Sequence, residues 1–323
     1  MIEESDLDAL ISGAIDQLNF PASPAELYEP IRYTLSLGGK RLRPRLLLMA
    51  AQMFGARPEV ALMPALGLEV FHNFTLLHDD IMDEAPLRRG KPTVHSRWNT
   101  NIAILSGDVM FAEACRLISN APAESLRDVL NVFFKAAVEV CEGQQYDMNF
   151  EKREDVTISE YLEMIRLKTA VLLGAGLQMG ALCGKASTEN AGFLYHFGCN
   201  LGIAFQLMDD ILDVYGDPQK FGKQIGGDIL ANKKTFLSLK AFEKADSRLA
   251  AELSTWYTSR TASDEKVLRV TNIFNELGIR REAEQVSEQF YSKALNSLAK
   301  LKENGLNTSS FEIFAAALMQ REH

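Results

Sequence analysis

The sequence predicts an all-α fold, and two observations carry the prediction. Apolar residues recur with a helical period along almost the whole chain, and no segment alternates convincingly in the period-2 manner of a strand. No low-complexity linker or break in composition divides the 323 residues, so they read as a single-domain bundle, residues 1–323, of about ten or more helices.

The pattern places helices at about residues 3–18, 24–36, 40–54, 58–83, 97–119, 123–146, 158–183, 189–215, 229–244, 247–258, 263–276, 279–301 and 309–320. Ser23-Pro24-Ala25-Glu26 reads as an N-cap, a proline at the first helical position and a first-turn acid. Leu46 to Phe54 and Leu194 to Ile211 are apolar around most of the helix, as expected of central, buried elements. Thr157-Ile158-Ser159-Glu160 is a capping-box pattern. Thr169 to Gly184 is apolar but short and glycine-rich, which suits a buried helix better than a membrane span.

Composition narrows the function. The net charge of −9 argues against nucleic acid as the main partner. The acidic stretch from Met1 to Leu10 has no basic region of the secretory kind. Cys115, Cys141, Cys183 and Cys199 lack metal or redox spacing and fall in apolar runs, so they are expected as reduced, buried thiols of a cytoplasmic protein.

One acidic pattern occurs twice. Asp79, Asp80 and Asp83 form Asp-Asp-x-x-Asp, and Asp209, Asp210 and Asp213 repeat it. On a helix, positions i and i+4 share a face and i+1 lies beside them, so each triplet makes one carboxylate patch. Both triplets fall near expected helix C-termini, where the macrodipole disfavours negative charge. A solvated acidic face would sit better at an N-terminus, whereas hard oxygen ligands suit Mg²⁺ bridging carboxylates to phosphates. The pair therefore predicts metal-bound diphosphate.

Basic elements accompany the triplets. Gly38-Gly39-Lys40-Arg41-Leu42-Arg43-Pro44 leads a glycine pair into a cationic helix start, a natural anion site. Leu87-Arg88-Arg89-Gly90 follows the first triplet, and its adjacent arginines can serve two separate anions. Lys168-Thr169 falls in mid-helix, and Lys223 and Lys233-Lys234 follow the second triplet. His72 completes Glu69-x-x-His72, half of a di-iron signature, but no second half exists. It lies two turns before Asp79, nearly on the same face, which supports substrate contact; His78 and His95 read as structural.

In these residues, together with Phe205-Gln206-Leu207-Met208 ahead of Asp209, the chain resembles the short-chain trans-isoprenyl diphosphate synthases, the polyprenyl synthetase family. Order and spacing agree from about residue 30 to about residue 240. The resemblance implies an isoprenoid synthase-like bundle around a deep central cavity, usually a homodimer with no membrane span. It implies head-to-tail condensation of isopentenyl diphosphate with dimethylallyl, geranyl or farnesyl diphosphate. By position, Asp79, Asp80, Asp83 and Asp209 would bind Mg²⁺, with Asp210 and Asp213 in or beside the second patch. Arg88, Lys168 and Lys223 would hold the allylic diphosphate, with Lys233 nearby. Lys40, Arg43, His72 and Arg89 would hold isopentenyl diphosphate without metal, and Thr169 and Gln206 would face the cationic carbon.

Product length would be set by residues preceding Asp79. Phe74 is about 7.5 Å and Phe71 about 12 Å back along the helix, with the small Thr75 between Phe74 and the triplet. One aromatic at the fifth position back, a small neighbour and no insertion in the triplet resemble synthases that stop at C20. C15 farnesyl diphosphate remains the alternative, because Phe71 and facing helices can also block the tail. A class I terpene cyclase would carry Asn, Ser or Thr and Glu in its second motif, and a non-catalytic subunit would have lost one motif. Neither pattern is present. Calcium binding lacks an EF-hand loop.

Overall fold

The computed structural model describes residues 4–217, 225–259 and 263–320. It is built of helices apart from one small hairpin. The chain groups into two compact units, residues 1–135 with 175–195, and residues 136–174 with 196–323.

The first unit contains α1 (Glu4–Asp16), α2 (Ala25–Ser36), α3 (Leu42–Met53), α4 (Pro58–Met82), the single turn α5 (Val94–Arg97) and α6 (Thr100–Ile118). It also includes the beginning of α7 (Leu126–Lys152) and the end of α9 (Val171–Cys183). Helix α4 packs on α3 and α6. A Cβ on Gly67 would lie 2.6 Å from Ile118, and one on Gly107 would lie 2.2 Å from the His78 ring. These two contacts, near opposite ends of each helix, run α6 antiparallel to α4 with their backbones in close approach. Glycines also explain α9: a Cβ on Gly180 would lie 2.0 Å from the carbonyl oxygen of Leu47 on α3. By length and composition α4 could cross a membrane, yet 61% of its most apolar window is buried.

The second unit holds the rest of α7, then α8 (Ile158–Ile165), a π-helical turn Arg166–Ala170 and the remaining part of α10 (Thr188–Tyr215). It continues with the single turn α11 (Gly227–Leu230), α12 (Phe236–Lys244), α13 (Ser247–Thr258), α14 (Asp264–Glu276), α15 (Ile279–Glu303) and α16 (Ser309–Met319). Its core joins Phe150, Tyr161, Ile211, Phe236, Leu253 and Phe274. The Thr157–Glu160 capping box forms as expected: Glu160 N–H donates to Thr157 Oγ1, and Thr157 N–H donates to Glu160 Oε2.

Several local expectations need correction. Pro24, not Ser23, is the N-cap of α2, with no side-chain cap bond. The expected helix 229–244 is broken at Asn232, whose φ of 56° is left-handed, and α12 begins after Thr235. Helix α7 runs on to Lys152. Leu87–Arg88 pairs with Lys91–Pro92 in an antiparallel hairpin, whose two-residue strands are too short to show a period in sequence. Cys183 and Cys199 are buried, Cys115 is partly so, and Cys141 is exposed.

Candidate active site

In the first unit, Met82 ends α4 and Asp83 is its C-cap, its N–H donating to the Asp79 carbonyl at 2.9 Å. The first triplet therefore occupies the negative end of the helix, as expected. Its members are not equivalent. Asp79 and Asp83 are four residues apart on one face, whereas Asp80 is buried at 4% exposure. Arg88 Nε donates to Asp80 Oδ1 at 2.7 Å and Oδ2 at 2.9 Å, and Nη2 reaches Oδ1 at 2.6 Å. Against the desolvation of its burial, these bonds and the charges of Asp80, Asp79 and Asp83 raise the Arg88 pKa above its ordinary value.

The hairpin separates the two arginines. Arg89 and Gly90, at φ 54° and 74°, form its two-residue tip, the backbone sense that matches strand twist. The hairpin is tied down by Tyr33, whose hydroxyl donates to the Pro92 carbonyl at 2.7 Å, and by Thr93, whose hydroxyl donates to that of Ala85 at 2.7 Å. While Arg88 engages Asp80, the Arg89 guanidinium lies against Gly39, where a Cβ would stand 2.7 Å from Nη2. Gly39 itself has a φ of 146°, so both space and backbone call for glycine.

Arg89 thus joins a basic cluster with Arg43 and His72. Arg43 Nη1 is 3.1 Å from His72 Nε2. Loss of water and the Arg43, Arg89 and Arg88 charges hold the imidazole pKa well below 6.5. Arg43 Nε and Arg41 Nη1 are sealed from solvent with no hydrogen-bond partner. Lys40 is exposed at the mouth of the preceding turn. The buried carboxylate here is Glu69, whose pKa burial raises while Arg43 opposes the shift; Asn73 Nδ2 donates to it at 3.1 Å. The cluster is basic, with one buried carboxylate beside it.

On another side of α4, Phe74 packs against His78 (4.7 Å between centroids), Phe71 (5.5 Å) and Phe111 of α6 (5.5 Å). Phe71 is fully buried and also meets Phe133 edge-on at 5.2 Å. The Thr75 hydroxyl turns back to the His72 carbonyl at 2.8 Å. His78 sits in the notch at Gly107, its Nε2 3.3 Å from the Ile104 carbonyl oxygen.

In the second unit, Lys168 and Thr169 sit in the π-helical turn, a geometry that interrupts regular helix bonding and is frequent at functional sites. Lys168 Nζ pairs with Asp147 Oδ2 at 2.5 Å. A Cβ on Gly143 would lie 2.3 Å from the Lys168 backbone nitrogen, so α7 touches this turn directly. Of the second triplet, Asp210 is buried at 4% exposure. The Tyr161 hydroxyl donates to its Oδ2, and Gln206 Nε2 to its Oδ1 at 3.4 Å. Burial pushes Asp210 up to about 8, opposed by the Tyr161 and Gln206 bonds and reinforced by Asp228 and Asp209. Asp213 accepts the N–H of Asp228 at 3.0 Å, and Lys233 lies 3.7 Å from Asp228. Lys223 lies outside the described residues.

Among the described residues, no three His, Cys, Asp or Glu side chains gather closely enough to cage a metal ion. The donor set nevertheless fits Mg²⁺, which takes one or two carboxylates and completes its shell with water and phosphate. Asp79 with Asp83, and Asp209 with Asp213, offer such pairs of oxygens on single helix faces.

A family model described as polyprenyl synthetase matches residues 24–274. The chain belongs to the polyprenyl synthetase family. This polyprenyl synthetase is 44% identical over 236 residues to the geranylgeranyl diphosphate synthase of Methanosarcina mazei, covering 72% of this chain and 73% of that one. It is 40% identical over 250 residues to the geranylfarnesyl diphosphate synthase of Natronomonas pharaonis, covering 72% and 73%. A crystal structure of a geranylgeranyl pyrophosphate synthase superposes with a TM-score of 0.93 at 43% identity, over 100% of both chains. The synthetase is an all-α prenyltransferase.

Sequence reading of the synthetase missed Asp147, Tyr161, Phe111 and the cluster role of Glu69. Asp147 and Tyr161 each precede or follow a close backbone contact that only folding reveals. Glu69 was visible, but only as half of a metal signature.

Proposed function

We propose that this synthetase condenses isopentenyl diphosphate with dimethylallyl, geranyl and farnesyl diphosphates and releases chiefly C20 geranylgeranyl diphosphate. The observation that carries the reading is the division of labour within the first unit. A cluster of Arg43, Arg89 and the neutral His72, with Glu69 as its one buried carboxylate, suits a diphosphate that needs no metal, whereas the Asp79–Asp83 face suits one that does. Two substrates with identical headgroups, only one of which must lose it, require that difference.

Mg²⁺, when bound by Asp79 and Asp83 and by Asp209 and Asp213, supplies positive charge that stabilises the departing diphosphate. We assign Asp80 and Asp210 to anchoring beside these pairs, because each is buried against a side-chain donor. Arg88, Lys168 and Lys233, with Lys223, neutralise the allylic diphosphate. Lys40, Arg43, His72 and Arg89 hold isopentenyl diphosphate. Thr169 and Gln206 present oxygen dipoles to the allylic cation. The double bond of isopentenyl diphosphate attacks that cation, and the released diphosphate takes the proton, so no side-chain base is needed.

Phe74, five residues before Asp79, stops the tail at C20 in this reading. A C15 product is the second reading, favoured by the packing of Phe71 and Phe111 against Phe74 and of Phe133 against Phe71. We also infer a homodimer in the cytoplasm. Leu105 on α6 and Phe134 on α7 are 58% and 45% exposed, apolar side chains that a second copy would cover, and the cysteines are free thiols.

The test is incubation with isopentenyl diphosphate, Mg²⁺ and each of the C5, C10 and C15 allylic diphosphates, followed by product sizing. Turnover ending at C20 is expected. Failure with every primer would sink the reading.

A further inference from the structure

Each aspartate triplet has a buried middle member, but the two are held differently. Asp80 meets a cation, Arg88, whereas Asp210 meets a neutral phenol, Tyr161. Tyr161 is itself buried at 2% exposure on α8, and burial together with the Asp210 charge pushes its pKa well above 10. Its hydroxyl donates to the Asp210 carboxyl. Seven residues later the same chain segment carries Lys168 and Thr169 in the π-helical turn. A second contact lies just beyond: a Cβ on Gly202 of α10 would stand 2.8 Å from Ala170. The segment from Tyr161 to Ala170 is thus fastened to α10 at both ends, by a hydrogen bond to Asp210 and by bare backbone contact at Gly202.

Resting on the prenyl-transfer reading, we propose that Tyr161 is a positioning residue, which through Asp210 sets the register of Lys168 and Thr169 against Gln206 and Asp209. Tyr161 touches no reacting atom. Its hydroxyl gives Asp210 a fixed orientation beside Asp209 and Asp213, which share the adjoining face of α10. Without that bond Asp210 is free to compete for Mg²⁺, and the π-helical turn loses one of its two fastenings. Tyr161→Phe preserves ring packing and removes only the donor, so the fold survives while the register loosens.

The expected result for Tyr161→Phe is a fall in kcat of about 10- to 100-fold with KM for isopentenyl diphosphate within about 2-fold of the parent. Asp210→Ala, which removes the acceptor oxygens, should cost a similar factor, and the double variant no more than either single one, because both break the same bond. Binding of inorganic pyrophosphate with Mg²⁺, followed calorimetrically without turnover, should weaken in each variant. Losses that multiply in the double variant, or pyrophosphate binding and kcat at parental values in Tyr161→Phe, would overturn the proposal. Should Tyr161→Phe fold poorly, Asp210→Ala carries the test, with kcat and pyrophosphate binding falling while KM for isopentenyl diphosphate stays unchanged. A parent enzyme with no turnover would instead point to the prenyl-transfer reading as the fault.

Discussion

Arg43 Nη1 lies 3.1 Å from His72 Nε2, so the guanidinium donates and the imidazole accepts. His72 is therefore neutral, with its proton on Nδ1, and brings a dipole rather than a charge to the basic cluster. Its pKa, held well below 6.5, makes stability depend on pH. Below about pH 6.5 the unfolded chain takes up a proton that the folded chain refuses, so this contribution is complete above that pH and lost on acidification. Denaturant unfolding between about pH 7.5 and about pH 5.5 should show the parent losing stability more steeply than His72→Gln. Parallel profiles would refute the neutral assignment.

Asp80 and Arg88 form a fork with three short contacts, and only arginine can make it. Arg88→Lys keeps the charge but should raise KM for the allylic diphosphate at least about 10-fold, with KM for isopentenyl diphosphate little changed. Asp80→Asn should do the same by releasing Arg88, whereas Asp79→Asn should lower kcat by about three orders of magnitude with the fold intact. Steady-state kinetics with each substrate varied separately distinguishes these outcomes. Equal shifts in both KM values would contradict the separation of the two arginines.

Phe74 touches Phe71, Phe111 and His78. Phe74→Ala should lengthen the product by at least one isoprene unit, and Phe111→Ala should lengthen it less, because Phe74 still stands above it. Sizing of the products by chromatography decides the matter; unchanged chain lengths in both variants would place the stop elsewhere.

Gly143 faces the Lys168 backbone at a distance no side chain allows. Gly143→Ala must push the π-helical turn away, since backbone rather than a flexible tip is in the way. A loss of about 1–3 kcal/mol in unfolding free energy and a drop in kcat are expected. A fully stable, fully active variant would show that α7 and the turn shift freely.

Helix positions and the acidic triplets were legible in the sequence because both rest on local periodicity. The loop at Asn232 was not, since its left-handed turn interrupts a pattern that otherwise continues. The triplets read as three equal carboxylates each, and folding distinguishes their middle members by supplying Arg88 and Tyr161 from other segments. The basic cluster was readable as charge, from Lys40, Arg43 and Arg89, but its geometry depends on Gly39 accommodating a guanidinium brought by a hairpin too short to leave a signature. The π-helical turn leaves none either: Arg166 to Ala170 is ordinary helical sequence, and its bonding changes where it meets Gly143 and Gly202.

Helix α4 carries His72, Asp79 and Asp83, to which the proposed function gives the two diphosphates, and Phe71 and Phe74, to which it gives tail length. Phe74 and Asp79 are about 140° apart around the axis. Mutations can therefore revise the size of the molecule made without disturbing the charges that make it, and a lineage can explore new lipids while its chemistry is inherited unchanged. One rigid rod keeps those two histories separate.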